Sequence, residues 1–168
     1  MATVKFTLSL DGSKLQTSSM PQLVGTQGTN FPLTGQYAFD GTSTERLFLR
    51  FQALNFGSGS ITVTIGWYAA TATTGGVVWE SAIAAMTPNT DTTSWETKGF
   101  ATVNTATDTH LGTTAQRPHS IDITASNTDS LAANDWVVLR ISRLPADAGD
   151  TMSGDAVLVS VDLAYSDT

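Results

Sequence analysis

The chain has 168 residues, no Cys, and eight Lys plus Arg against fifteen Asp plus Glu, a formal net charge of −7. These values exclude thiol catalysis, Cys-based zinc sites and disulfide framing, and they leave no excess of cations of the kind nucleic-acid binding needs. The length suits one domain, residues 1–168, able to bury roughly 70% of the surface its unfolded form exposes; no stretch approaches the ~20 apolar residues of a membrane-spanning helix, so neither nucleic acid nor membrane is expected as a partner.

Charged residues make up 14% of the chain, against ~25% in an average domain. Small neutral residues take their place, as on the surface of a β protein or of a subunit buried in an assembly. The opening MATVKFTLSL alternates Val4, Phe6, Leu8 and Leu10 with Lys5, Thr7 and Ser9. It reads as a strand ending at Asp11-Gly12-Ser13 rather than as a signal peptide. From Lys14 to Gln36, Pro21, Pro32, Gly25, Gly28 and Gly35 interrupt every apolar run. This predicts an extended arm or long loop with at most a short strand at Gln22–Val24, either docking on a partner or wrapping its own sandwich.

Glu45–Phe56 is the next strand, with Leu47, Leu49, Phe51 and Ala53 inward and Arg46, Phe48, Arg50 and Gln52 outward. Gly57-Ser58-Gly59-Ser60 is a turn signal, and Ile61, Val63, Ile65 and Trp67 resume the alternation, so a hairpin is expected here. Val77–Trp79 reads as a short strand. Ser81–Met86 reads as a turn or a continuation of it, being too short for an independent helix. Further on, the pattern predicts a strand over Thr97–Val103, a long polar connection over Asn104–Pro118 and a strand over His119–Ala125. The last segment, Trp136 to Tyr165, reads as two strands joined in a hairpin by an acidic loop, with Val157, Val159, Val161, Leu163 and Tyr165 forming the central core face. Short strands punctuated at intervals of roughly 8 to 12 residues, without a convincing helix, define an all-β fold: a single antiparallel β-sandwich, expected as a jelly roll, with an irregular arm or loop at 14–36.

Residues that could carry chemistry are few. His110 and His119 lack the spacing that would set them on one metal, and no nucleophile elbow, P-loop or dinucleotide fingerprint occurs. Glu45, Glu80 and Glu96 read as solvated strand ends rather than as a glycosidase carboxylate pair. Asp147, Asp150 and Asp155 are the weak candidates for Ca²⁺, against the plainer reading of a hairpin loop whose carboxylates accept backbone N–H groups. No cofactor and no enzymatic activity are expected. Among the aromatics, Trp67 falls on an inward face and Trp136 opposite Val137, whereas Trp95 lies in a polar loop. With Tyr68 it is the candidate for stacking on a sugar or a partner.

Three pieces together resemble β-sandwich structural proteins of tailed-bacteriophage virions: WYAATATTGGVVWE at Trp67–Glu80, WVVLRISR at Trp136–Arg143 and DTMSGDAVLVSVDL at Asp150–Leu163. Arg143 followed by the Asp150–Asp155 loop is the most characteristic element, and Lys14–Gly35 lies outside the resemblance. What it implies is a capsid cement or decoration protein, made in the bacterial cytoplasm. It would sit on the head surface as a homo-oligomer, a trimer being favoured, and bridge neighbouring subunits of the major capsid protein. Interface candidates are Leu23 and Phe31 on the arm, with Tyr68 and Trp95. The alternative is a carbohydrate- or receptor-binding module of a tail fibre, with Trp95 and Tyr68 stacking on a glycan.

Overall fold

Apolar side chains recur every second residue along most of the chain, a period that can bury one face of a strand but not the stripe of a helix. In a computed structural model, which describes residues 2–26 and 33–168, these segments form eleven strands among the described residues. In order they are β1 (Thr3–Leu8), β2 (Lys14–Leu15), β3 (Gln22–Thr26), β4 (Leu33–Phe39), β5 (Arg46–Gln52) and β6 (Ile61–Ala69). There follow β7 (Gly76–Met86), β8 (Asn104–Thr109), β9 (His119–Ala125), β10 (Trp136–Arg143) and β11 (Ala156–Ser166), and one 3₁₀ turn stands at Leu10–Gly12. A six-stranded sheet has the order β3-β4-β11-β6-β9, with β1 also pairing β11, and a five-stranded sheet has the order β2-β5-β10-β7-β8. All the pairings are antiparallel, and the two sheets face each other as a jelly-roll-like β-sandwich.

The core between the sheets is built from Phe39, Ile61, Ile65, Trp67, Ile123 and Leu158 on one side and Leu47, Leu49, Trp79, Ile83, Leu139 and Ile141 on the other. Trp79 sits at its centre, meeting Phe39 edge-on at 5.2 Å between ring centroids and Trp67 at 6.3 Å. Each such aliphatic or aromatic side chain contributes about 1.5–3 kcal/mol by leaving water.

Two expected hairpins are crossings instead. β5 and β6 belong to different sheets, and so do β10 and β11. Alternation specifies that each strand has an inward face but not which neighbour completes its ladder, and either arrangement buries the same side chains. After β5 the chain is drawn towards the C-terminal end of the other sheet, where Phe56 bridges Asp167 and the Gly57 N–H donates to Ser166 C=O at 2.9 Å. After β10 it is Arg143 that holds the crossing.

The 14–36 segment is stitched into the sandwich at both of its ends. β2 extends one sheet beside β5, and β3 and β4 pair with each other at the edge of the other sheet. Lys14 to Thr26 is thus a wrapping segment rather than a free arm. The expected strand over Thr97–Val103 is absent, and β8 forms within the supposed polar connection. Its sequence, NTATDT, lacks apolar alternation, but β7 offers an unpaired edge from Gly76 to Ser81 and backbone bonding suffices. Ser81–Met86 continues β7, all eleven residues of which are buried. In β11 a bulge between Leu158 and Ser160 switches the inward phase. Ala156 and Leu158 face the main core before it, and Val161, Leu163 and Tyr165 after it, whereas Val157 and the half-buried Val159 pack with Ala38 and Tyr68 in a separate cluster.

Candidate functional site

On the outer face of the five-stranded sheet, apolar residues stand where polar ones would be ordinary. β5 presents Arg46, Phe48, Arg50 and Gln52 there; β10 presents Trp136, Val138, Arg140 and Ser142. The register sets Phe48 opposite Arg140, Arg50 opposite Val138 and Gln52 opposite Trp136. On the far side of β10 lie the small residues Ala82 and Ala84 of β7. Their size leaves room above the sheet, and the segment between β7 and β8 occupies part of it.

That segment is held by its own turns. The Thr87 N–H donates to the Asp91 carboxylate at 2.8 Å, and the Thr97 and Lys98 N–H groups donate to Ser94 C=O at 3.1 and 3.0 Å. It is anchored to the sheet where Ala101 N–H meets Ile83 C=O at 2.9 Å. Asp129 ties in from a third direction, its carboxylate accepting the Ala85 N–H and pairing with Lys98 Nζ, both at 2.8 Å. Two aromatics are thereby set in place. Phe100 lies 5.9 Å from the Phe48 ring with the Arg140 guanidinium 5.0 Å above it, and Arg140 pairs with Glu80 at 2.7 Å. Trp95 stacks on Trp136 with centroids 6.0 Å apart and planes 13° from parallel. Both indoles stay half in solvent, 50% and 48% exposed.

Between this segment and β2 runs a groove of about 550 Å³, lined by Lys14, Leu15, Phe48, Arg50, Trp95 and Phe100 among others. A second hollow of about 500 Å³ shares Arg50, Trp95 and Val138 with it and continues to Trp136. The result is an open channel with aromatic and aliphatic walls, whose charged lining groups, Lys14, Arg50 and Lys98, are all cationic. Flat indole faces accept the C–H face of a ring, and an Arg fork fixes an oxygen-bearing group beside it.

Of the residues singled out from sequence, Trp95 lies in this groove. Tyr68 does not: it is 8% exposed and donates its hydroxyl to Gln36 Oε1 at 2.8 Å within the small cluster on the six-stranded sheet. Its outward position is covered, which corrects its assignment as a stacking residue. Leu23 is exposed on β3, an edge strand of the six-stranded sheet, and so does not share the groove. Phe31 lies outside the described residues. Trp136, Phe48 and Arg50 also border these hollows without a motif to single them out, although Phe48 standing among outward polar residues is a signal that marks this face.

The acidic loop has a structural occupation. Arg143, 0% exposed, bonds Asp150 through Nε at 2.9 Å and Nη2 at 2.8 Å and donates its remaining N–H groups to the carbonyls of Phe39, Met152 and Gly154. Asp150 also accepts the Val78 N–H at 3.1 Å, and Asp147 accepts the Gly149 N–H at 2.8 Å. Gly154, at φ +95°, supplies the turn that aims its carbonyl at Arg143. With Asp150 consumed in this way, Asp147, Asp150 and Asp155 do not form a Ca²⁺ cage. Among the described residues no group of three or more His, Asp or Glu is placed to hold a metal ion.

The two histidines, unrelated by spacing, meet across the β8 and β9 edges. Their ring centroids are 4.8 Å apart, and His119 stacks on Trp67 at 4.4 Å. Asp108 accepts the Trp67 indole N–H at 2.9 Å and lies 3.6 Å from His119 Nδ1. Burial disfavours the imidazolium and holds the His119 pKa below its ordinary value, with Asp108 opposing and His110 and Arg117 reinforcing the shift. This cluster shares no residue with the groove and packs on the core through Trp67.

No protein-family model and no curated protein sequence matches the chain. Solved structures do. A carbohydrate-binding module, CBM28, specific for non-crystalline cellulose shares 12% identity over 92% of this chain and 89% of its own, with a TM-score of 0.54. A family 11 carbohydrate-binding module from Clostridium thermocellum shares 11% identity over 96% and 87%, with a TM-score of 0.42. TmCBM27, a module that recognises mannan, shares 10% identity over 99% of both chains, with a TM-score of 0.46. At these identities the likeness to CBM28 establishes a common β-sandwich fold.

Proposed function

We propose that the protein is a carbohydrate-binding β-sandwich module that acts by binding and not by turnover. The observation that carries this reading is the exposed, near-parallel Trp95–Trp136 pair bordering a groove on one sheet face. Two adjacent indoles kept half in solvent form an exposed apolar patch of the kind that marks a binding surface. The groove is open to solvent and continues past Trp95 into the hollow beside Trp136, which suits an extended chain of rings rather than an enclosed small molecule. Among the described residues its main channel is lined by no Asp, Glu or His, which supports binding over acid–base chemistry. The fold is one used by CBM28, whose ligand is a polysaccharide. The reading as a capsid cement trimer bound to the major capsid protein rests on sequence resemblance alone, and no feature of the groove favours it.

The test is binding of the full chain to a panel of insoluble and soluble polysaccharides. Retention on at least one, lost by roughly 10- to 100-fold in affinity in Trp95→Ala and in Trp136→Ala while thermal unfolding stays unchanged, is the expected result. Retention on none, or retention indifferent to both substitutions, would overturn it.

A further inference from the structure

The charge of the groove departs from that of the molecule. The chain carries a formal charge of −7 with only eight Lys and Arg, yet three of the eight, Lys14, Arg50 and Lys98, line the main channel without a single carboxylate among them. Lys98 is neutralised by Asp129 at 2.8 Å. Lys14 and Arg50 are exposed and pair with no carboxylate among the described residues. Of the acids nearby, Glu80 is taken by Arg140, Asp91 lines a further hollow that also borders Trp95 and Trp136 but its carboxylate accepts the Thr87 N–H at 2.8 Å, and Glu96 is not among the residues lining either hollow that Arg50 borders. On an acidic protein, two uncompensated cations facing an aromatic channel are a local reversal of the field, which attracts anions to that place and repels them from the rest.

Resting on the saccharide-binding reading, we infer that the groove selects an anionic saccharide, a carboxylate-bearing ring that stacks on Trp95 and Trp136 while Arg50 takes its carboxylate. Arg50 is suited to this because it lines both hollows, and so it stands beside the indole pair rather than at a distance along the channel. A guanidinium donates two parallel N–H···O bonds to a carboxylate, which fixes both the ring's orientation and its distance from the stacking plane. Lys14, on β2 at the other wall, serves a second ring of the same chain as a point charge. A polyphosphate is the weaker fit. Two free cations against a net charge of −7 give little of the counterion release that sustains nucleic-acid binding, whereas one carboxylate per ring requires only the cations present.

The experiment is titration calorimetry of the full chain against matched pairs. Oligogalacturonate is compared with its methyl ester, sialyllactose with lactose, and cellohexaose and oligothymidylate complete the set. The expected result is that one acid binds roughly 10- to 100-fold more tightly than its neutral counterpart, weakening with added salt, and that Arg50→Gln removes the preference without altering thermal unfolding. The two pairs separate a uronate chain from a terminal sialate. Equal binding of acid and neutral partners, unchanged by Arg50→Gln, would sink the inference and leave the saccharide-binding reading standing. Preferential binding of oligothymidylate, or no saccharide bound at all, would sink both.

Discussion

Arg143 and Asp150 show how much can rest on one pair of side chains. The guanidinium has every N–H donor bonded and no exposure, and its partner carboxylate is equally enclosed. A buried pair of this kind adds little over an apolar equivalent, but removing one partner strands a charge. We therefore expect Asp150→Ala to cost roughly 3–5 kcal/mol, seen as a lower midpoint in urea unfolding. An acidic loop read from sequence as solvated would have implied a far smaller loss. His119 gives a second consequence at this scale. Its folded-state pKa lies below the ordinary 6.5 because the ring is buried, so the unfolded chain takes up a proton first as pH falls. Stability is complete above the unfolded value and declines as pH drops through about 6.5 towards the folded pKa. Glu45 acts with the opposite sign lower down: burial raises its pKa above 4.5, so its contribution is present below that value and fades as pH rises through the folded one. The His119 contribution makes unfolding midpoints fall on acidification through about 6.5, and His119→Phe, which keeps a ring against Trp67, should remove that part of the pH dependence.

Strand β11 carries the lesson at the scale of an element. Strict alternation from Val157 to Tyr165 reads as one uninterrupted core face, and on that reading Val159 is as buried as Val161. The bulge between Leu158 and Ser160 breaks the phase. Opposite it Gly66 is the residue that fits, since a Cβ there would stand 2.5 Å from the Ser160 Oγ. Val161 is fully buried, whereas Val159 is only partly so. An Asp at 161 has no partner and no water, so Val161→Asp should abolish cooperative unfolding; Val159→Asp, whose carboxylate can reach solvent, should leave a folded protein with a reduced melting temperature. Circular dichroism melts of the two variants distinguish them, and equal loss in both would show that the bulge does not set the burial. The β7–β8 segment teaches the converse. Its apolar content predicts a strand over Thr97–Val103, but the ladder position beside β7 is filled by the polar β8, and Phe100 and Trp95 are left free to build the groove.

For the molecule as a whole, every connection between successive described strands except β3–β4 and β7–β8 passes from one sheet to the other. Nearly every ladder therefore joins segments distant in sequence, and loop-closure entropy must be met before those contacts form. Stopped-flow refolding should be slow for the chain length, in roughly the millisecond-to-second range of sandwich proteins; microsecond folding would contradict this topology. The alternating pattern by itself determined the fold class and the inward faces of β1, β5, β6, β9 and β10. These follow from side-chain direction, which depends only on the parity of neighbouring residues. Tertiary structure alone decided that successive strands cross between sheets, that Tyr68 is covered while Trp136 is not, that Arg143 closes the acidic loop, that His110 meets His119, and that Trp95 comes to lie on Trp136. Each of these is a meeting of residues far apart in the chain, chosen by which edges and hollows the packed sheets leave open, and periodicity carries no information about that choice.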